Sequence, residues 1–384
     1  MTAYPTTDLY NKYIQEQASE AFMQKCIDET VYSNILEKSA HTLYTPNYFI
    51  RIGLALLTAV AITLSMVLVW LMTSASSDEG IIALLIFFAL ICYGLLEFMV
   101  KLKKYYNAGI DNILQAATVL FIISAFLVND FDSSYEAISC ITLLVCLWLT
   151  IRFTDAFMAI VFFIALITFF FLLYIKLGTI GKLTAPFALM LLSIVLYFFI
   201  QKLAARHNLI IYKYCIQWIR LLTLITFYAA GNYHVVNKLS MEMFGAPAAP
   251  AALAPLFWTL TLTIPPLYIF YGIKKKDKLF YRTGMVLTIL SVLTVRYYHT
   301  VMPAEIAMII FGILTIAVSY VLIKYLSTRK KGFTFENTGH KEKMMVDAEA
   351  LIIAQVFGRN HVPQNDAVQF GGGSSGGGGA TGSY

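Results

Sequence analysis

The side chains best suited to chemistry in this chain are polar and charged groups inside, or at the ends of, long apolar runs. A charged group within a membrane helix is costly, so each is a candidate functional group by default. One set lies near the same predicted ends of neighbouring runs and comprises Glu97, Asp111, Asn112, Gln115, Arg152, Asp155 and Arg220. Such a set could bind a substrate, an ion or a proton, or it could bond one helix to another.

Arg220 lies well inside its apolar run, where an arginine costs roughly 2.5–3.5 kcal/mol on insertion scales. We therefore predict an acidic or carbonyl partner for it, and Glu97 or Asp111 is the acid we expect. Asp111 and Gln115 are spaced i, i+4, and with Asn112 they give one helix a polar face that should point into a bundle. This face is typical of bonding between helices, and a substrate, ion or proton site is the alternative.

A second set lies toward the other predicted side and comprises His234, Arg296, His299 and Glu305. Two histidines beside an acid could form a proton-sensitive or metal-binding site. Their spacing matches no known ligand pattern, and Tyr233, Tyr297 and Tyr298 beside them are typical of an aromatic belt at a membrane interface. We predict no metal site and no other cofactor.

Pro265 and Pro266 mark a candidate helix break inside another apolar run. Adjacent prolines remove two backbone donors and should kink or break a helix. Broken helices occur at the binding sites of transporters, but they also occur as plain kinks, which is the interpretation we favour here.

Catalytic motifs do not accompany these residues. The chain has no P-loop, no H-E-x-x-H, no zinc-ligand spacing and no strand-anchored G-x-G-x-x-G. A G-x-S-x-G match at 372–376 falls in a glycine-rich tail without the strand and helix that a nucleophile elbow needs. The five cysteines form no C-x-x-C pair and no cluster with histidine. We therefore predict that the protein is not an enzyme.

Composition identifies the elements that must position these groups. The 384 residues are 59% hydrophobic and only 13% charged, whereas soluble domains are nearer a quarter charged. The net charge of +6 comes from basic residues in alternate loops between apolar runs, which is a pattern of membrane orientation and not of nucleic-acid binding. The predicted partner is the lipid bilayer, and nucleic acid is excluded.

Ten apolar runs are long enough to span a membrane, and they predict an all-α polytopic bundle of about ten transmembrane helices. Only residues 152–155 separate the fourth run from the fifth, and a single long helix there would leave nine spans. The small, Pro-rich loop between Gly231 and Leu253 is predicted to be a connector. The predicted spans are 52–72, 81–100, 110–128, 136–151, 156–175, 184–201, 212–230, 253–273, 280–298 and 304–325.

Lysine and arginine positions predict the orientation of the bundle. If the N-terminus is cytoplasmic, the inner side receives seventeen of these residues and the outer side four. The positive-inside rule then places both termini in the cytoplasm, and the predicted location is the inner membrane of a bacterium, as a multi-pass protein.

The chain outside the spans divides into three predicted parts. Residues 1–47 should form an amphipathic helical segment on the cytoplasmic surface, before a bundle over 48–326. Residues 327–369 should form a cytoplasmic tail with one short amphipathic helix at about 346–357, and the Gly/Ser-rich residues 370–384 should be disordered. Each terminal segment could pack against the bundle or the membrane surface, or it could bind protein partners.

Three short stretches resemble uncharacterised polytopic bacterial membrane proteins of the group called domain of unknown function 2157. They are residues 44–53, the Gly109-Ile110-Asp111-Asn112 start of a span, and Arg152-x-x-Asp155. The resemblance implies a cytoplasmic helical segment followed by many spans, and it implies no activity. The tail after Phe370 is similar to the C-termini of bacterial membrane proteins with a TPM domain, but this chain shows no such domain.

The leading hypothesis is a non-enzymatic accessory or envelope-related membrane protein. The alternative is a secondary transporter with a polar intramembrane site near the cytoplasmic side, which predicts unpaired groups around a water-accessible cavity. An intramembrane enzyme would need a nucleophile and a base within reach of each other, and no such pair is recognisable.

Overall fold

A computed structural model describes residues 2–23, 26–73, 77–128, 135–244 and 253–298, with six further helical positions between 312 and 324. The described ranges form twelve α-helices and a 3-10 helix at His207–Tyr212. The α-helices are α1 (Thr6–Met23), α2 (Glu29–Lys38), α3 (Tyr48–Thr73), α4 (Asp78–Lys103), α5 (Ile110–Val128), α6 (Tyr135–Phe153), α7 (Ala156–Ile175), α8 (Thr179–Ala204), α9 (Lys213–Gly231), α10 (Tyr233–Phe244), α11 (Ala254–Lys275) and α12 (Lys278–Tyr298).

Nine helices within these ranges are long and apolar enough to cross a membrane, namely α3 to α9, α11 and α12. The protein is therefore an all-α, multi-span membrane protein in contact with the lipid bilayer. The first nine predicted spans correspond to these helices. The tenth, 304–325, lies outside the described residues except at the six helical positions, and the tail with its predicted helix at 346–357 lies wholly outside them.

The fourth and fifth predicted spans are separate helices. Thr154, between α6 and α7, adopts a left-handed conformation with φ of 52°. Asp155 then begins a new helix, because its side chain accepts the backbone N–H of Met158. The alternative of one long helix is therefore wrong.

Four helix pairs pack as hairpins: α4 with α5, α6 with α7, α8 with α9, and α11 with α12. Their turns lie on one side of the bundle, the side that also holds α1 and α2, and we call it the N-terminal side. We call α3 to α7 the first half of the bundle and α8 to α12 the second half. Helix α9 connects them, since it packs on α7 and also on α11 and α12.

The described part of residues 2–47, which we call the N-terminal segment, packs into the bundle. Ala3 N donates to the carbonyl of Arg152 at 2.7 Å, and Tyr4 OH donates to the carbonyl of Tyr105 at 3.0 Å. Tyr44 pairs with Tyr105 through an isolated parallel β-bridge. Apolar side chains of the segment join the core of the first half, where they pack with residues of α4 to α7: Tyr4, Leu9 and Leu43 with Cys92, Leu96, Leu114, Leu149, Phe153 and Met158.

Helix α3 lies at the edge of the bundle, and none of its residues is buried. It closely approaches the start of α5 at Gly109, which has φ of 95°. A Cβ at this position would lie 2.2 Å from the carbonyl oxygen of Arg51, so only glycine fits here without a shift of backbone.

The predicted connector after Gly231 contains a helix, α10, which the sequence analysis missed. Asn232 begins it, because its Oδ1 accepts the backbone N–H of His234 at 2.9 Å and of Val235 at 3.3 Å. The helix is short and amphipathic, so it lacks the long apolar run by which the spans were recognised. Residues 245–252 lie outside the described ranges.

Helix α11 continues through Pro265 and Pro266, so the candidate break, the alternative to a plain kink, does not occur. Pro265 has no N–H to give to the carbonyl of Thr261, four residues earlier. The hydroxyl of Ser291 on α12 donates to that carbonyl instead, at 3.0 Å. The neighbouring helix therefore supplies the hydrogen bond that the proline removes, as is common in membrane bundles.

Candidate functional site: buried polar clusters at helix ends

The first buried cluster, which we call the Asp111–Asp155 cluster, consists of Arg51, Asn107, Asp111, Asn112 and Asp155. Asp111 is in the first turn of α5 and is 2% exposed. Its two carboxylate oxygens accept the backbone N–H groups of Asn107 at 2.7 Å and Ala108 at 2.8 Å. The carboxylate thus satisfies donors of the tight turn that leads into α5.

Asp155 likewise accepts a backbone N–H where a helix begins, in this case at the start of α7. Its Oδ1 accepts the backbone N–H of Met158 at 2.9 Å, and its Oδ2 accepts Nδ2 of Asn112 at 2.6 Å. Burial raises the pKa of the Asp155 carboxyl, whereas these hydrogen bonds favour its ionised form.

Asn112 links three helices within the cluster. While its Nδ2 donates to Asp155, its Oδ1 accepts Nη2 of Arg51 at 3.2 Å. Arg51 Nη2 also lies 3.5 Å from Oδ1 of Asn107. One amide side chain therefore joins the first turn of α3, the start of α5 and the start of α7.

Charge in the Asp111–Asp155 cluster is balanced by the protein itself. The cluster holds two carboxylates and one guanidinium, which bonds to the oxygens of Asn107 and Asn112. Each carboxylate also lies at a helix N-terminus, which carries roughly half a positive charge. These contributions sum to about zero, so the cluster requires no bound cation for neutrality. Such an arrangement is suited to holding helix ends together.

A second cluster joins α4 to α6. Arg152 donates through Nε to Oε1 of Glu97 at 2.8 Å and through Nη2 to Oε2 at 3.1 Å, which is a bidentate pair. Lys101 lies 3.1 Å from the same carboxylate, and Tyr93 OH donates to it at 3.2 Å. Glu97 is therefore fully engaged by its neighbours.

Arg220 belongs to a third cluster, on the other half of the bundle. Its Nη2 donates to Oδ2 of Asp277 and to the hydroxyl of Tyr197, the latter at 3.1 Å. The prediction that Arg220 pairs with Glu97 or Asp111 is wrong, because α9 presents it to the α11–α12 turn. Asp277 was overlooked because it lies among lysines outside the apolar runs. It also caps α12, accepting the N–H of Leu279 at 3.0 Å.

Gln115 lies one turn after Asp111 and is 1% exposed. Its Oε1 is buried and has no hydrogen-bond donor among the described residues. Of the seven candidate residues on this side, six form side-chain hydrogen bonds with other described residues. The side-chain oxygen of Gln115 has no donor among the described residues.

Tyr4 and Tyr106 are two buried residues on the N-terminal side that the sequence did not indicate, and they belong to the core of the first half of the bundle. Their rings meet edge to face with centroids 5.2 Å apart. Burial raises the pKa of Tyr106 to about 12 and raises the pKa of Tyr4 well above its usual value, so both phenols stay neutral at ordinary pH. No periodic signal marks either residue, and only the docked N-terminal segment brings them together.

The candidate set on the opposite side is only partly described, since His299 and Glu305 lie outside the described residues. His234 Nδ1 is 3.2 Å from the hydroxyl of Tyr298, which also accepts Nδ2 of Asn237 at 3.1 Å. Arg296 is exposed. The described part is an aromatic and amide network between α10 and α12.

Metal-binding groups and relatives add no further assignment. Within the described ranges, no group of three or more His, Cys, Asp or Glu residues is placed to hold a metal ion. No protein family, curated protein or solved structure matches this chain.

Proposed function

We propose that this multi-span membrane protein is a non-enzymatic accessory or envelope-related protein of a bacterial inner membrane, with its N-terminal side in the cytoplasm. The observation that carries the proposal is the mutual pairing of the charged candidates. Arg152 holds Glu97 and Arg220 holds Asp277, and the carboxylates of Asp111 and Asp155 accept backbone N–H groups and the amide of Asn112. Groups that neutralise one another in this way stabilise a bundle and have no charge left for a substrate.

Orientation in the proposal rests on the distribution of lysine and arginine. The turns of the N-terminal side carry most of these residues, and positive loops face the cytoplasm.

A secondary transporter is the second candidate, and one observation favours it. The buried Oε1 of Gln115 has no donor among the described residues, and this open acceptor, one turn after Asp111, could receive a hydrogen bond from a ligand. Against this candidate, a transport site near the same side would leave charged groups unpaired, whereas Glu97 and Arg152 pair with each other and Arg220 pairs with Asp277.

Complementation of a deletion strain separates the two candidates. The Glu97→Gln variant removes the charge that holds Arg152 but preserves the shape of the side chain. If Glu97 is structural, any envelope phenotype of the deletion should be rescued in proportion to the amount of folded Glu97→Gln protein in the membrane.

Gln115→Leu is the matched variant, because it removes the open acceptor without disturbing an ion pair. Loss of rescue by either variant at a wild-type amount of folded protein would contradict the accessory role and favour a transport site. Protein amount is measured by detergent extraction and size-exclusion chromatography.

A further inference from the structure

The turn between α11 and α12 carries a dense positive surface on the N-terminal side. Four lysines within five residues are exposed, and we call them the α11–α12 basic turn: Lys274, Lys275, Lys276 and Lys278. Arg282, one turn into α12, is exposed as well.

Asp277, the acid among these lysines, does not offset the charge of Lys274, Lys275 and Lys278. It is already engaged by Arg220 and by the backbone at the start of α12. These three exposed lysines therefore lie beside an acid whose charge Arg220 already neutralises.

The α4–α5 turn on the same side provides a contrast. Lys101 pairs with Glu97 at 3.1 Å, and Lys104 Nζ donates to the hydroxyl of Thr42 at 2.6 Å. Thr42 in turn donates to the carboxylate of Asp8 in α1. The N-terminal segment thus brings acidic and polar partners to this turn, whereas the α11–α12 basic turn has mainly outward-facing lysines.

The position of the basic turn is the level at which lipid headgroups lie. Lys275 is the last residue of α11 and Lys278 the first of α12, and both helices are long enough to span a membrane. Tyr271 and Tyr281 beside them are 41% and 38% exposed, as is common for tyrosines at membrane interfaces. Lysine stems follow apolar surface while their ammonium groups reach the headgroups.

We propose that the α11–α12 basic turn binds the phosphate headgroup of an anionic phospholipid in the leaflet on the N-terminal side. Charge complementarity identifies the occupant: several ammonium groups converge at headgroup level, and phosphate is the anion found there. Basic residues at this level attract anionic lipids by about 1 kcal/mol each, which is about fivefold in affinity per lysine. The inference is independent of the accessory role.

The test uses the full chain in neutral detergent, with phosphatidylglycerol or phosphatidylcholine added to the micelles. The readout is the midpoint of thermal unfolding as a function of lipid concentration. Phosphatidylglycerol should raise the midpoint and phosphatidylcholine should not. The triple variant Lys274→Gln, Lys275→Gln and Lys278→Gln should need at least about tenfold more phosphatidylglycerol for the same rise.

A matched triple variant, Lys101→Gln, Lys103→Gln and Lys104→Gln, removes the same charge from the same side and should keep the wild-type lipid response. Replacing Lys274, Lys275 and Lys278 with arginine should also keep it, and this variant guards against loss of folding. Equal weakening in both glutamine variants would show a general charge effect and overturn the proposal.

Two other occupants give distinct results. A rise produced by inorganic phosphate alone would mean that free phosphate, and not a lipid, is bound. If removal of residues 327–384 were needed before phosphatidylglycerol had any effect, the acidic positions of the tail would be the occupant. Either result overturns the proposal.

Discussion

Several buried or half-buried aspartates in this protein cap the N-termini of helices. Asp111, Asp155 and Asp277 each accept backbone N–H groups where a helix begins. Asp155 and Asp277 also accept a side chain from another helix, Asn112 and Arg220 respectively. A carboxylate at such a position is stabilised both by the N–H groups and by the helix dipole. This explains how charged residues can be buried among spans without a bound ligand.

The ion pair of Arg220 with Asp277 should contribute measurably to stability. Because about a fifth of each side chain is exposed, 21% and 22%, Arg220→Gln should cost about 1–3 kcal/mol, less than the roughly 3–5 kcal/mol of a fully buried pair. Thermal unfolding in detergent measures the loss.

Two variants control this prediction. Arg282→Gln removes the same charge from an exposed position and should change the free energy of unfolding by no more than about 0.5 kcal/mol. Adding Asp277→Asn to Arg220→Gln should recover part of the loss, because asparagine still caps α12 and leaves no unpaired charge. An Arg220→Gln variant as stable as the wild type would refute a stabilising pair.

The α6–α7 and α11–α12 turns share one local structure, a left-handed residue followed by an aspartate that caps the next helix. Thr154 and Lys276 both adopt left-handed conformations, with φ of 52° and 56°, and each is followed by an aspartate that starts the next helix. The left-handed residue stops the first helix and the aspartate begins the second, so two spans can be joined by two residues.

The hydrogen bond from Ser291 to the carbonyl of Thr261 should depend on Pro265. Ser291→Ala alone leaves a buried carbonyl without a donor and should cost about 1–3 kcal/mol. In a Pro265→Ala background, the alanine N–H can take that carbonyl, so the same serine change should cost clearly less. A double-mutant cycle by thermal unfolding gives the coupling, and additive effects would show that the serine does not replace the missing donor.

Sequence patterns were sufficient for the spans but not for their partners. Apolar runs located nine of them, and the four residues from Arg152 to Asp155 carried enough signal to separate α6 from α7. The partner of Arg220 depends on which helix α9 packs against, and no local pattern encodes that. The continuity of α11 across its prolines likewise depends on a serine 26 residues further along the chain than Pro265.

At the scale of the whole molecule, the N-terminal segment is part of the membrane bundle's core. It contacts the α4–α5 turn, the α6–α7 turn and the start of α9, the last through Glu16, which accepts the hydroxyl of Tyr214 at 2.6 Å. Three hairpins are thereby tied together on one side by residues that are not themselves transmembrane.

Tyr4 should control the docking of this segment. Tyr4→Ala removes a buried ring and should destabilise the docked state by about 3–5 kcal/mol, whereas Tyr4→Phe loses only the bond to Tyr105 and should cost about 1 kcal/mol. Hydrogen exchange should then accelerate in α1 and α2 of Tyr4→Ala but not in α7. Equal acceleration in all three helices would show that docking and bundle stability cannot be separated.

The contacts of the N-terminal segment also determine the order in which parts of the protein can fold during translation. Glu16 and Tyr214 are 198 residues apart, so the segment leaves the ribosome long before its last partner is translated. Tyr4, Leu9 and Leu43 pack with residues of α4 to α7, so they have no complete core to enter until α7, the fifth of the described spans, has been made. This segment is therefore synthesised before every one of these spans but completes its contacts only after six of them have been made and the seventh has begun.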